Sequence, residues 1–123
     1  MQIRFTANVL ANLDAIEAYW QGEGDGRGFD RLLAELDDMV LPNLSRFPRM
    51  GRLFLERAPD SVEAQRLHAG IRARLAAGQQ IREYVLDEHL LLYRVGDEAV
   101  DLLALRHQKQ LGFDLGDALD RGR

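Results

Sequence analysis

The chain has 123 residues, 46% hydrophobic and 29% charged, with no cysteine and a formal net charge of -4. That length builds one hydrophobic core without staples, and the composition is that of an ordinary soluble globular domain, 1–123. Lack of cysteine excludes disulfides, thiolate metal sites and a cysteine nucleophile, and no run approaches the ~20 apolar residues needed to span a bilayer.

The start, Met1-Gln2-Ile3-Arg4-Phe5, lacks the apolar region of a secretory signal, so the expected compartment is the cytoplasm. Ile3-Arg4-Phe5 reads as a short strand. Thr6 then caps a helix whose apolar positions Val9, Leu10, Leu13, Ile16 and Trp20 recur at helical spacing. Four glycines between Gly22 and Gly28 predict a flexible connection, and no Gly-Lys-Ser/Thr follows to make it a phosphate loop. A second helix carries Phe29, Leu32, Leu33, Leu36, Val40, Leu44 and Phe47 on one face, with Pro42 expected to kink or split it near Leu41. Phe47-Pro48-Arg49-Met50-Gly51-Arg52 closes it as a turn. A third helix is expected from Asp60, with Glu63 in capping-box spacing, the stripe Ala64, Leu67, Ile71 and Leu75, and an end at Gly78.

Three short apolar runs follow: Ile81–Leu86, His89–Val95 and Ala99–His107. Gaps of two and three residues are too short for a crossover, so they predict an antiparallel meander. In the tail after Gly112, Asp114 to Leu119 is expected to form a helical turn or two. The order β-α-α-α-β-β-β describes an α+β domain: a small antiparallel sheet, made of the N-terminal strand and the meander, with helices packed on one face.

Charge is segregated along the chain. Residues 1–40 carry -5, residues 41–82 carry +5 and residues 83–123 carry -4. A basic middle between acidic ends is either a footprint for an acidic partner or phosphate, or internal compensation. The densest basic cluster, Arg46, Arg49, Arg52 and Arg57, is interleaved with Phe47, Met50, Leu53 and Phe54. That mixture suits a protein–protein surface or RNA backbone contact, and equally arginine stems laid over the edge of the core.

Three stretches together resemble the RelE/ParE superfamily, the toxins of bacterial type II toxin–antitoxin modules, which include plasmid-stabilisation proteins. They are Ile3–Thr6 with Ala11–Ile16, the Pro-x-x-Gly turn within Phe47–Arg52, and the strand pieces Arg82-Glu83-Tyr84, Leu92–Val95 and Leu103–His107. The resemblance covers roughly residues 1–55 and 80–113; residues 53–79 depart from it as an expected helical insertion. It implies a cognate antitoxin, no cofactor, and one of two targets. ParE-like members inhibit DNA gyrase, whereas RelE-like members cleave mRNA on the ribosome. A third possibility is an inactive homologue that only binds its antitoxin. The pI of about 5.3 favours the protein target, because a polyanionic substrate selects for basic enzymes.

Each closing strand carries an arginine: Arg82, Arg94 and Arg106. Were the helices to cover the Leu91/Leu103/Val85 face, alternation would bring all three arginines onto the opposite, open face. Convergent arginines clamp a scissile phosphate, and His107 has the intrinsic pKa for proton transfer. The nuclease reading therefore assigns catalysis to Arg94, Arg106 and His107, with Arg82, Tyr84, Lys109, Arg49 and Arg52 as binding residues. The alternative for these arginines is pairing with Asp97, Glu98, Asp101 or the antitoxin. His68 and His89 read as surface or helix-face residues, and the three histidines share no metal-ligand spacing.

Overall fold

The three apolar runs of the C-terminal third do form a meander, and a nearly complete core is built around it. The computed structural model describes residues 1–24, 26–54, 69, 73 and 75–108. In chain order come β1 (Gln2–Phe5), α1 (Ala7–Gly22), α2 (Arg27–Glu35), a π-helical turn (Leu36–Val40), α3 (Leu41–Arg46), β2 (Arg52–Leu53), β3 (Gln80–Val85), β4 (His89–Val95) and β5 (Ala99–His107). The strands form one sheet in the order β1-β5-β4-β3-β2. Closing bonds from Leu86 N–H to the His89 carbonyl (2.8 Å) and from Gly96 N–H to the Ala99 carbonyl (3.0 Å) end the two hairpins.

The α+β architecture is as expected, but the sheet is mixed. Strand β1 lies parallel to β5, with Gln2 beside Ala99 and Phe5 beside Leu102. No local turn joins the two, so hairpin geometry does not set their direction; β1 instead leads into α1, which crosses back over β5. Strand β2, absent from the expected elements, adds two residues at the far edge beside β3.

Strand β5 has nine residues and β1 only four, which would leave half of an edge unpaired. The start of α1 fills the gap with side chains. Thr6 Oγ1 donates to the Leu102 carbonyl (2.7 Å), Asn8 Nδ2 donates to the Leu103 carbonyl (2.9 Å), and Asn12 Oδ1 accepts from Leu105 N–H (2.9 Å). Thr6 also caps α1 by accepting from Val9 N–H, as its position implied.

The helices cover one face. Val9, Leu32, Leu36, Val40 and Leu44 pack on Leu91, Tyr93, Val95, Val100, Leu102 and Leu105. Each such aliphatic side chain contributes about 1.5–3 kcal/mol on burial. The other face is not open either: Ile81, Leu92, Leu103 and Ala104 are buried there, with Phe54 and Leu75 against them. That is why β4 reads as a near-continuous apolar run.

Two helix details differ from expectation. The glycine-rich connection shrinks to residues 23–26, because α1 extends to Gly22 and α2 begins at Arg27. Gly28 lies inside α2, where a Cβ would stand 2.4 Å from the Trp20 ring; close helix approach selects the glycine. The expected break at Pro42 appears as the π-helical turn just before it. Leu41 N–H reaches five residues back to the Leu36 carbonyl, widening the turn where proline's ring would strike the carbonyl of Asp38.

Most of the helix expected over 60–78, and of the 53–79 insertion, lies outside the described residues, as does the 114–119 turn; of its described positions Ala69 and Ala73 are helical. The ends of that segment are described. Leu53 belongs to β2, and residues 75–79 form a turn in which Gly78 adopts a φ of +82°, so no helix reaches Gly78.

Candidate interaction surface

The three strand arginines do not converge. In β4, Leu91, Tyr93 and Val95 face the helices and Arg94 faces the other way, opposite Asp101. In β3, Arg82 sits opposite Tyr93 and Tyr84 opposite Leu91, so both lie on the helix-covered side, while Val85 lies opposite Leu90 on the other. The condition under which all three would meet fails. In β5 a bulge at Leu103 changes the alternation: Leu92 pairs with Ala104 but Tyr93 with Leu102. Arg106 therefore does not share a face with Val100 and Leu102. It shares the Arg94 face, but opposite Leu90, four residues along β4 from Arg94 and about 13 Å away at ~3.3 Å per residue. His107 points to the other side, opposite His89.

Arg94 is 9% exposed and is held by Asp101, its Nε at 3.1 Å and its Nη2 at 2.9 Å from Oδ2. From the opposite side Arg4 donates to the same carboxylate, Nε at 2.5 Å from Oδ1 and Nη2 at 3.0 Å from Oδ2. The two arginines are the direct cross-strand neighbours of Asp101 on β1 and β4, which is why one carboxylate serves both. Burial pushes the Asp101 carboxyl up, but hydrogen bonds and charge from Arg4 and Arg94 outweigh it and hold the group below its ordinary value. The Asp101 carboxylate in turn raises Arg4.

His89 and His107 face each other across β4 and β5 with ring centroids 5.3 Å apart, edge to face. His89 is neither a surface nor a helix residue: it begins β4 and is 4% exposed. Burial, with the charge of His107 behind it, lowers its pKa. Arg106 donates from Nη1 to the His107 carbonyl at 3.3 Å. His68 and Lys109 lie outside the described residues. Among the described residues no group of three His, Asp or Glu side chains is gathered to hold a metal ion, and no helix is long and apolar enough to cross a membrane.

Arg82 and Tyr84 anchor the turn after α3. Arg82 Nη1 donates to the Gly51 carbonyl (2.5 Å), its Nε donates to Gln80 Oε1 (3.0 Å), and Gly51 N–H donates to Tyr93 Oη (2.9 Å). Tyr84 Oη accepts from Asn43 Nδ2 at 3.1 Å. Gly51 is required by contact: a Cβ there would lie 2.6 Å from the Glu83 carbonyl oxygen and 2.7 Å from Tyr93 Oη. Tyr93 is fully buried, and burial raises its pKa.

The turn so anchored projects apolar side chains into solvent. Phe47 is 58% exposed, Met50 48% and Leu53 41%, interleaved with exposed Arg46, Arg49 and Arg52. The Arg46 guanidinium lies 5.7 Å from the Phe47 ring centre. Arg52 pairs with Glu83 across β2 and β3. Laying arginine stems over the core would have covered these apolar side chains, and they are not covered. Arg57 lies outside the described residues; the rest of the densest basic cluster of the sequence is thus a surface of mixed cationic and apolar character.

A family model for the ParE toxin of the type II toxin–antitoxin system, parDE, matches residues 3–112. The chain belongs to the ParE toxin family. Its fold agrees: a solved chain titled as the chromosomal ParDE toxin–antitoxin system of P. aeruginosa superposes with a TM-score of 0.55 at 16% identity, covering 87% of this chain and 95% of that one. No curated protein matches the sequence. Within a ParE-family frame, Arg82 and Tyr84 turn out to build the platform and Arg49 to stand on it. Sequence reasoning named Asp101 among the partners of the strand arginines, and Arg94 does pair with it; it missed Arg4 as the second cation on that carboxylate and the pairing of Gly51 with Tyr93. An aspartate in the otherwise apolar run Ala99-Val100-Asp101-Leu102-Leu103 was the available signal for the first.

Proposed function

We propose that this protein is the toxin of a type II toxin–antitoxin pair that acts in the cytoplasm as one domain. It binds and inhibits an essential protein such as DNA gyrase, without catalysis of its own, and a cognate antitoxin neutralises it. The observation that carries this reading is the dispersal of Arg94, Arg106 and His107. Phosphoryl transfer in a nuclease needs its cationic and proton-transfer groups around one scissile phosphate. Here Arg94 is committed to a buried carboxylate, Arg106 stands four strand positions away, and His107 projects from the other face. The low pI and the mixed apolar and cationic projection at Arg46–Leu53 also suit a protein target better than a polyanion.

The test is expression from a tight promoter in a bacterium, following labelled thymidine and methionine over the first minutes. A fall in thymidine incorporation first is the expected result. A fall in methionine first supports the mRNA endonuclease and overturns the proposal. Soluble protein that lowers neither leaves an inactive, antitoxin-binding homologue.

A further inference from the structure

We infer that the projection Arg46–Leu53 is a docking surface for the antitoxin, and that it receives an acidic segment studded with apolar side chains. The inference rests on the toxin–antitoxin reading above and adds the place and chemistry of the contact. Composition is the first ground. Arginine, phenylalanine and methionine are the residue types enriched at the centre of protein interfaces, and Phe47, Met50 and Leu53 stand exposed among three arginines. Contact with a nucleic acid backbone would use the arginines but leave those three apolar side chains without a role.

Charge is the second ground. Among the described residues Arg46 and Arg49 form no ion pair and Arg52 is matched by Glu83 alone, so this part of the surface is net positive on a chain of net charge -4. A basic island on an acidic molecule steers an acidic partner to that point and repels it elsewhere. Order is the third. Gly51 is fixed through both its N–H and its carbonyl, to Tyr93 and Arg82, whose own strands lie in the core. The surface is therefore set before the partner arrives, and little ordering cost is left to binding.

The experiment is calorimetric titration of the intact protein with its purified cognate antitoxin. Arg49→Glu and Phe47→Ala are each expected to weaken binding by about ten-fold or more. The Arg49→Glu loss is expected to shrink as salt is raised. Arg31→Glu on α2, an identical charge change at another exposed site, is expected to move the affinity by less than about two-fold. Unchanged unfolding midpoints establish that these surface variants fold. Wild-type affinity in both Arg49→Glu and Phe47→Ala overturns the inference. So does intact antitoxin binding combined with loss of affinity for a single-stranded RNA oligonucleotide, which would make the projection a nucleic acid surface. Binding is read independently of toxicity, so a chain that docks antitoxin here yet arrests no growth would refute the proposed inhibition alone.

Discussion

At one end of the sheet Arg94 lies buried between β4 and β5, bonded to a carboxylate that Arg4 also grips. At the end of α3 and just past it, Arg46 and Arg49 stand in solvent beside exposed Phe47 and Met50. The side chain is the same and the physics is opposite. A buried guanidinium requires its counter-charge, so Arg94 and Asp101 are fixed by the cost of separating them. An exposed guanidinium gains little from any internal partner and stays available to an outside one. Arginine count along the strands therefore says little about function until burial and pairing are known.

Cutting the buried pair gives the largest expected effect. Asp101→Ala removes the carboxylate shared by Arg94 and Arg4 and is expected to cost about 3 kcal/mol or more in chemical denaturation, in the range for breaking a buried ion pair. A loss under about 1 kcal/mol would mean that the cluster behaves like a surface pair. Next comes Gly51→Ala, which forces a Cβ to within 2.6 Å of the Glu83 carbonyl oxygen. About 1–3 kcal/mol of destabilisation is expected from that overpacking, with antitoxin binding weakened because the turn beneath the projection has shifted. Normal stability and binding in that variant would show that the turn is not the platform described.

A pH dependence of intermediate size belongs to the sheet. His89 has a folded pKa below its ordinary 6.5, so the unfolded chain takes up its proton first. Stability is full above about pH 6.5 and falls as pH drops from there towards the folded value. Asp101 is likewise depressed below its ordinary 3.8, so its contribution holds above that value and is lost as pH falls through the folded pKa. The His89→Phe variant is expected to remove the upper step only, and a titration curve still showing that step would assign it to another group. The smallest effect on stability belongs to the projection. Arg49→Ala is expected to shift unfolding by less than about 0.5 kcal/mol while weakening antitoxin binding.

The periodicity of the closing strands made them legible in the sequence almost to the residue, and Thr6 marked the start of α1 by its capping chemistry. Pro42 marked a real disruption, although the chain met it with a widened turn and not a break. What stayed hidden depends on contacts between distant segments. The direction of β1 is set by where α1 must go, and its partner strand begins 94 residues beyond its own last residue, Phe5. The bulge at Leu103 lies in an unbroken apolar run with no glycine or proline to announce it, and it alone reverses the sidedness of Arg106 and His107. Parity within a strand does not fix register between strands, which is why the expected convergence of Arg82, Arg94 and Arg106 failed. The basic cluster at Arg46–Arg52 was visible in the sequence; its exposure was not.

Inhibition of a protein target without catalysis can be read in a gyrase supercoiling assay with the purified protein, run beside a ribosome-bound mRNA cleavage assay on the same preparation. Dose-dependent loss of supercoiling, with mRNA intact and with full inhibition retained in His107→Ala, is the predicted result. Cleavage of ribosome-bound mRNA that His107→Ala and Arg106→Ala abolish, with gyrase unaffected, would contradict it.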